Sequence, residues 1–311
     1  MAQTLARAPA LAAILVLAHA VSAWPPVLAK YCATYAWRLD RVLFWQALRR
    51  EPEDVFLDRK WPAYAVARLI ERTVPRDGQV LTFNQIGEAY TSRPIRVVYQ
   101  AAANAELGGI LLTPLIPQYQ PRRWLEFTVV PQRVRTVRVV QTAWSASDQF
   151  TVNELRVFHQ GRERPPEPRW RLRASPFPWG VQNAFDGERL TFWGSWQTLQ
   201  PGMLIEADFG QPEWIDRAGI EASYSETALR IKLEYEDAAG VVRTVAEPRE
   251  FEIAPPLGMR RDATRIIKSR GVGYVLLHDD DYAAKDVKAG PERWGLTRLG
   301  EAQGYRLYAI R

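Results

Sequence analysis

The rhythm of apolar and polar residues changes several times along the chain, and each change marks an element. From Ala8 to Ala29 the run APALAAILVLAHAVSAWPPVLA carries no formal charge, and a stretch of about twenty such residues is the length that crosses a bilayer. Over 31–60, Trp37, Leu39, Val42, Leu43, Trp45 and Leu48 recur loosely at helical spacing with arginines between them. That pattern suits an amphipathic connector lying against a membrane, or equally a helix packed on the next domain. After Pro62, the residues Ala65, Val66, Leu69 and Ile70 mark one helix face opposite Arg68, Glu71 and Arg72. An Arg76-Asp77-Gly78 turn then leads into short apolar runs at Gln79 to Phe83 and Ile95 to Tyr99, which predict buried strands of an α/β layer.

From Arg122 to Glu252 the period falls to two. It is clearest where Leu229, Ile231, Leu233 and Tyr235 alternate with Arg230, Lys232, Glu234 and Glu236. Beyond Pro255-Pro256 the helical pattern returns: Asp262 is placed to cap a turn carrying Ile266 and Ile267, and Gly271 ends it. A strand over Gly273 to Leu277, a helical stretch from Asp286 to Trp294 and a hairpin of Leu296 to Leu299 with Tyr305 to Ile310 close the chain. These changes predict an α/β domain in two parts, 61–115 and 256–311, with a β-sandwich over 116–255 spliced between them.

The N-terminal run has two readings. Arg7, Leu11 to Ala20 and Val21-Ser22-Ala23 read as the n-region, h-region and cleavage site of a signal peptide over 1–30. Alternatively the run is a retained membrane helix with Trp24 and Tyr31 at the interface. The basic n-region is thin and the apolar character continues through Val27 and Leu28, which favours the retained helix. Either reading exports the rest of the chain, although Lys30, Arg38, Arg41, Arg49 and Arg50 run against the positive-inside rule, softened by Asp40, Glu51 and Glu53.

Composition narrows the function classes. The net charge is +6, but 41 Lys and Arg are interleaved with 35 Asp and Glu, and no basic block reaches the length of a nucleic-acid-binding arm. Cys32 is the one cysteine, which leaves no disulfide framework and no Cys-rich metal site. His19, His159 and His278 fall in no metal or triad spacing, and no Gly-rich phosphate loop or G-x-S-x-G elbow occurs. His278-Asp279-Asp280-Asp281 follows a predicted strand, where α/β proteins place ligands, yet it reads more simply as a solvated loop with an Asp cap.

The most specific stretch is Asn183 to Gly210. An Asp-Gly turn at Asp186 and Gly187, where two strands are expected to meet, precedes Thr191 and Trp193. A later run ends in Asp208-Phe209-Gly210. With Ala184 and Glu188, these residues resemble the motif of the discoidin, or coagulation-factor type C, family. Its members are β-sandwich modules that bind glycans, lipids or proteins and catalyse nothing. The family's closing strand pair matches Val137 to Val140 and Asn153 to Phe158, which here precede the Asp-Gly motif. The resemblance therefore implies a circularly permuted jelly roll, or two truncated modules in tandem; about 130 residues is one sandwich's worth, which favours the former. It also implies a possible structural Ca²⁺ at Glu154, Glu188 and Thr191. Of the aromatics, Trp179 and Trp196 are candidates to stack on sugar rings, whereas Trp193 is expected in the core.

A second resemblance covers the flanks. The segments YAVARLIERTVPRDGQVLTF, GEAYTSRPI and GVGYVLL with GYRLYAIR are similar to the extracytoplasmic tail of bacterial polyprenyl-phosphate-sugar-dependent glycosyltransferases of the dolichyl-phosphate-mannose mannosyltransferase kind. That family's catalytic acid lies between membrane helices with no counterpart in this sequence, so no catalytic residue is carried over. The expected protein is an α+β multidomain chain with an N-terminal membrane helix and a small α/β domain split by a discoidin-like sandwich. It is expected to be non-catalytic, anchored in the cell membrane by a single pass with its bulk periplasmic, and to bind a cell-envelope glycan or a protein. The alternatives are the C-terminal portion of an active glycosyltransferase and a secreted carbohydrate-binding protein.

Overall fold

The computed structural model describes residues 9–31, 48, 50–223 and 228–311, and the chain divides into two compact units, Met1–Pro62 and Ala63–Arg311. In the first, α1 (Pro9–Tyr31) covers 23 residues of the apolar run, with side chains described as far as Trp24. Leu11, Ile14, Leu15, Val16, Leu17 and Val21 are all exposed on it. The expected membrane helix thus meets a helix at the expected place, but among the described residues no helix is long and apolar enough to cross a membrane. Most of the expected amphipathic connector, including Trp37 and Trp45, lies outside the described residues. Its last part forms α2 (Glu53–Lys60), which buries nothing. Glu53 and Asp54 in its first turn and Arg59 and Lys60 in its last complement the helix dipole.

The second unit is mixed α+β and mostly sheet. Helix α3 (Pro62–Thr73) buries Tyr64, Val66, Ala67, Leu69 and Ile70 and is followed by β1 (Val80–Thr82), β2 (Ile95–Val97) and α4 (Ala102–Leu112). The apolar run at Ile95 leaves the strand at Val98, where a 3₁₀ turn begins. Then come β3 (Pro121–Gln141), β4 (Gln149–Val152), β5 (Glu154–His159), β6 (Arg162–Arg164), β7 (Arg171–Ser175), β8 (Trp193–Thr198), β9 (Leu204–Ser223), β10 (Ile231–Asp237), β11 (Val242–Val245) and β12 (Arg249–Glu252). The chain ends with α5 (Met259–Ser269), β13 (Tyr274–His278), α6 (Ala284–Ala289), β14 (Leu296–Ala302) and β15 (Tyr305–Ile310).

A five-stranded open sheet, in the order β14-β15-β13-β1-β2, joins strands from before and after the β3–β12 stretch. Leu81 of β1 pairs in parallel with Arg96 and with Val275. Parallel strands are covered on both faces, so they read as continuous apolar runs. Val80, Leu276 and Leu307 pack against Val66 and Ile70 of α3 on one face. Leu81, Val275, Leu277 and Tyr308 pack with α4 and α5 on the other, through Leu107, Ile110, Ile266 and Ile267. Asp262 sits in the first turn of α5 rather than capping it; the N-cap is Gly258 at φ +76°. Gly271 does close the helix end, at φ +86°.

The stretch of period two forms an eight-stranded open sheet, β11-β10-β3-β9-β5-β6, with β12 also on β3 and β7 also on β9, beside a β4-β8 ribbon. Its axis is the β3·β9 pair, 21 and 20 residues long. Register shifts after Thr128 and Val134 break the pairing, and such bulges let one strand serve two layers. Residues 121–128 of β3 pair with β12 and the end of β9, whereas 134–141 pair with β10 and its beginning. Both halves feed one core, which gathers Phe127, Val139, Phe150, Trp193, Ile205, Phe209, Ile220 and Leu233. This is compatible with a β-sandwich.

Three local expectations are corrected. Val137 to Val140 and Glu154 to Phe158 are not partners, because β9 lies between β3 and β5. The Asp-Gly turn joins a 3₁₀ turn (Val181–Ala184) to β8 rather than two strands of a hairpin. Asp208-Phe209-Gly210 does not end a strand: Gly210 takes φ +76° and β9 bends there and continues.

Candidate functional site

The Asp-Gly turn is held by its own side chains. Asp186 Oδ1 accepts from the backbone N–H of Glu188 at 2.9 Å, and the Thr191 hydroxyl lies 3.0 Å from both Asp186 carboxylate oxygens. Gly187 adopts φ +75°, a conformation glycine enters freely. The turn thereby sets the direction of Leu190, Phe192 and Trp193. Leu190 is buried in the core of the five-stranded sheet, and its carbonyl accepts from the Thr113 hydroxyl at 3.3 Å. Trp193 is 1% exposed. Its ring lies edge-on to Phe150 with centroids 5.3 Å apart, and its indole N–H donates to the Phe177 carbonyl at 2.7 Å.

Around this pair the chain leaves two indoles outside the core. Trp179 is 72% and Trp196 61% exposed. Trp196 holds φ +52°, a left-handed backbone that is uncommon for a bulky residue and concentrates at functional positions. Both tryptophans line one cavity of about 500 Å³. Its opposite wall is α4, which presents Ala102, Ala105, Glu106 and Gly109. Asn183 also lines it: the residue is 9% exposed, and among the described residues its side-chain amide makes no hydrogen bond but keeps access to the cavity. The one charged residue of the lining is Glu106, whose carboxylate is bound by Arg270 at 2.5 Å. Aromatic faces, small aliphatic groups and the amides of Gln182 and Asn183 can bind a ligand; among the described residues this lining holds no paired nucleophile and base.

The residues expected to hold calcium are only partly brought together. Glu154 is 2% exposed and its Oε1 has no hydrogen-bond partner. Burial, and after it the nearby Asp186, push its carboxyl up to about 8. Thr191 stands on the same turn, but its hydroxyl is engaged by Asp186. Glu188 points away, to Arg265 at 3.4 Å. Among the described residues no three His, Cys, Asp or Glu side chains gather as a metal group. A hard cation takes six or more oxygens, so Glu154, Glu188 and Thr191 do not by themselves fit one. The acidic loop after β13 is occupied structurally. Asp281 accepts from Asn84 and from the His278 N–H, each at 2.7 Å, and Asp279 is paired with Arg306.

Trp179 and Trp196 are legible in the sequence, but the wall they face is not. Helix α4 carries only Asn104 and Glu106 as polar side chains, among apolar residues on all sides and with Gly108 and Gly109 in its middle, so it shows no amphipathic period. Gln182 and Asn183 lie just ahead of the Asp-Gly motif and are the local signal for polar groups beside the aromatics. Comparison of the chain with family models, curated proteins and solved structures returns no match.

Proposed function

We propose that this chain is a non-catalytic, membrane-tethered extracytoplasmic module whose discoidin-like sandwich binds a cell-envelope glycan. The observation that carries the reading is the placement of Trp179 and Trp196 on one cavity beside the side-chain amide of Asn183. Indole faces stack on the apolar faces of sugar rings, and an amide both donates to and accepts from hydroxyls. The discoidin likeness is supported by the Asp186, Gly187 and Thr191 turn and by Trp193 in the core; with β5 preceding that turn, we read the sandwich as a circularly permuted jelly roll. The likeness to glycosyltransferase tails is supported by the way its segments meet. They supply α3, β1, β13 and β15, and Glu71 of α3 holds the GEAYTSRPI segment through Thr91, Ser92 and Arg93. The exposed apolar side chains of α1 are what suggest an anchor. Interleaved charge argues against a nucleic-acid partner.

Two measurements test this. Trp179→Ala and Trp196→Ala are expected to abolish retention on an immobilised envelope polysaccharide while leaving the melting temperature unchanged, whereas Trp193→Ala costs about 3–5 kcal/mol of stability. Retention equal to wild type in both exposed-Trp variants would remove the glycan reading. For the anchor, the full-length chain is expected to stay with membranes through carbonate extraction; a soluble mature form beginning at Trp24 would replace the anchor with a cleaved signal peptide.

A further inference from the structure

The two central glycines of α4 have different reasons to be there. A Cβ on Gly108 would lie 2.6 Å from Val98 Cγ1, so glycine is required where the helix crosses the turn after β2. A Cβ on Gly109 would meet nothing within 4 Å. A mid-helix glycine weakens a helix relative to alanine, and neither packing nor a positive φ accounts for this one. It does face the cavity, opposite Trp179 and Trp196. Asn183 adds a polar group to the same lining: the residue is 9% exposed, its amide keeps access to the cavity, and with no side-chain hydrogen bond among the described residues its donor and acceptor are both open to an occupant.

We infer that the glycan site is not the aromatic rim of the sandwich alone but a slot between that rim and α4, with Gly109 as its floor, and that it takes one uncharged sugar residue. The inference rests on the glycan-binding reading and names the class of sugar. A slot of about 500 Å³ is within the range of small-ligand sites. The sugar's apolar face lies against the indoles, its hydroxyls reach the Asn183 amide, and its edge rests on the small residues of α4. Charge decides between sugars. The one charged lining group is the Glu106 carboxylate, already neutralised by Arg270 at 2.5 Å. A uronate or phosphorylated sugar would bring a second anion to a largely apolar lining with no free cation among its residues.

The test uses the full-length chain in detergent and calorimetric titration with two probes, an uncharged N-acetylhexosamine or hexose tetrasaccharide and an oligogalacturonate. The uncharged probe is expected to bind and the uronate not. Gly109→Leu is expected to weaken binding at least tenfold with a wild-type melting temperature. Gly109→Ala, which adds one methyl to the floor, should raise the melting temperature by about 1–4 °C and weaken binding less. Should Gly109→Leu bind like wild type while Trp179→Ala does not, the sugar sits on the outer rim; the glycan reading stands and the slot is refuted. Preference for the uronate overturns the sugar class. If neither probe binds and none of the variants changes retention on polysaccharide, the glycan reading fails and the slot with it.

Discussion

Glu154 and Glu221 face each other directly across β5 and β9, 2% and 3% exposed, and like charges so placed repel. Arg156 and Arg189 engage Glu221 at 3.3 and 3.1 Å, while Glu154 Oε1 is left without a partner. Protonation resolves the conflict, consistent with a carboxyl that burial and Asp186 raise from 4.5 to about 8. A folded-state pKa above the unfolded value means that stability is fully present below about 4.5 and is lost as pH rises through about 8. Asp186, raised by its own burial, contributes in the same sense. Thermal melts are therefore expected to fall across that window. Glu154→Gln, which keeps the shape without the charge, should flatten the fall and be more stable than wild type at pH 8 to 9. A wild-type curve that rises with pH would contradict this account. Alternation along β5 puts Glu154 on the face of Arg156, opposite Leu155 and Val157, so neither its burial nor its place facing Glu221 was legible in the sequence, the pairing joining residues 67 positions apart in the chain.

Among the elements, β9 and α4 were the least legible. The alternating pattern around Asp208 and Gly210 reads as a strand that stops, because Asp-x-Gly is turn chemistry. In the fold, β3 keeps pairing on both sides of the irregularity, so the strand bends instead. Further along, Gly219 meets a tighter constraint than any turn imposes. A Cβ there would lie 2.5 Å from Trp124 Cζ2 and 2.8 Å from the Leu125 carbonyl oxygen, and the backbone atom cannot move aside. Gly219→Ala is expected to cost about 1–3 kcal/mol in urea unfolding, and Gly108→Ala a similar amount against Val98. Gly109→Ala, one residue away in the same helix, should instead stabilise by about 0.4–1 kcal/mol. Sequence propensity treats the adjacent glycines alike; the neighbours they meet give the substitutions opposite signs.

Residues 63–311 form one compact unit, and this bears on how separable the sandwich is. Leu190 leaves the Asp-Gly turn to pack in the core of the five-stranded sheet with Leu107, Ile110 and Leu111 of α4, and Glu188 pairs with Arg265 of α5. Leu190→Ala is expected to cost about 2–5 kcal/mol and to lower protection against hydrogen exchange in α4 and α5 as well as in the sandwich. A segment of 116–255 expressed alone should still give a β-type spectrum, but melt below the temperature of the full chain, since Leu190 is then exposed. Equal melting temperatures would show that the junction is only a contact.

Elements whose signal is local were legible in the chain alone. The apolar stripe of α3, the alternation of β10, the buried runs of β1 and β13, and the turn chemistry of Asp186, Gly187 and Thr191 each sit within a few residues of their cause. Trp179 and Trp196 likewise stood out as indoles outside the core. What those indoles face was settled by packing at long range. The cavity is made by residues some seventy or more positions apart, Gly109 against Trp179 and Trp196, and its wall is a helix without an amphipathic period. Long-range packing also brought Glu154 to a second carboxylate and turned Glu188 to Arg265. Such relations depend on which strand lies beside which, a choice set by the bends in β3 and β9 and by the summed burial of both sheets, and no window of the sequence contains it.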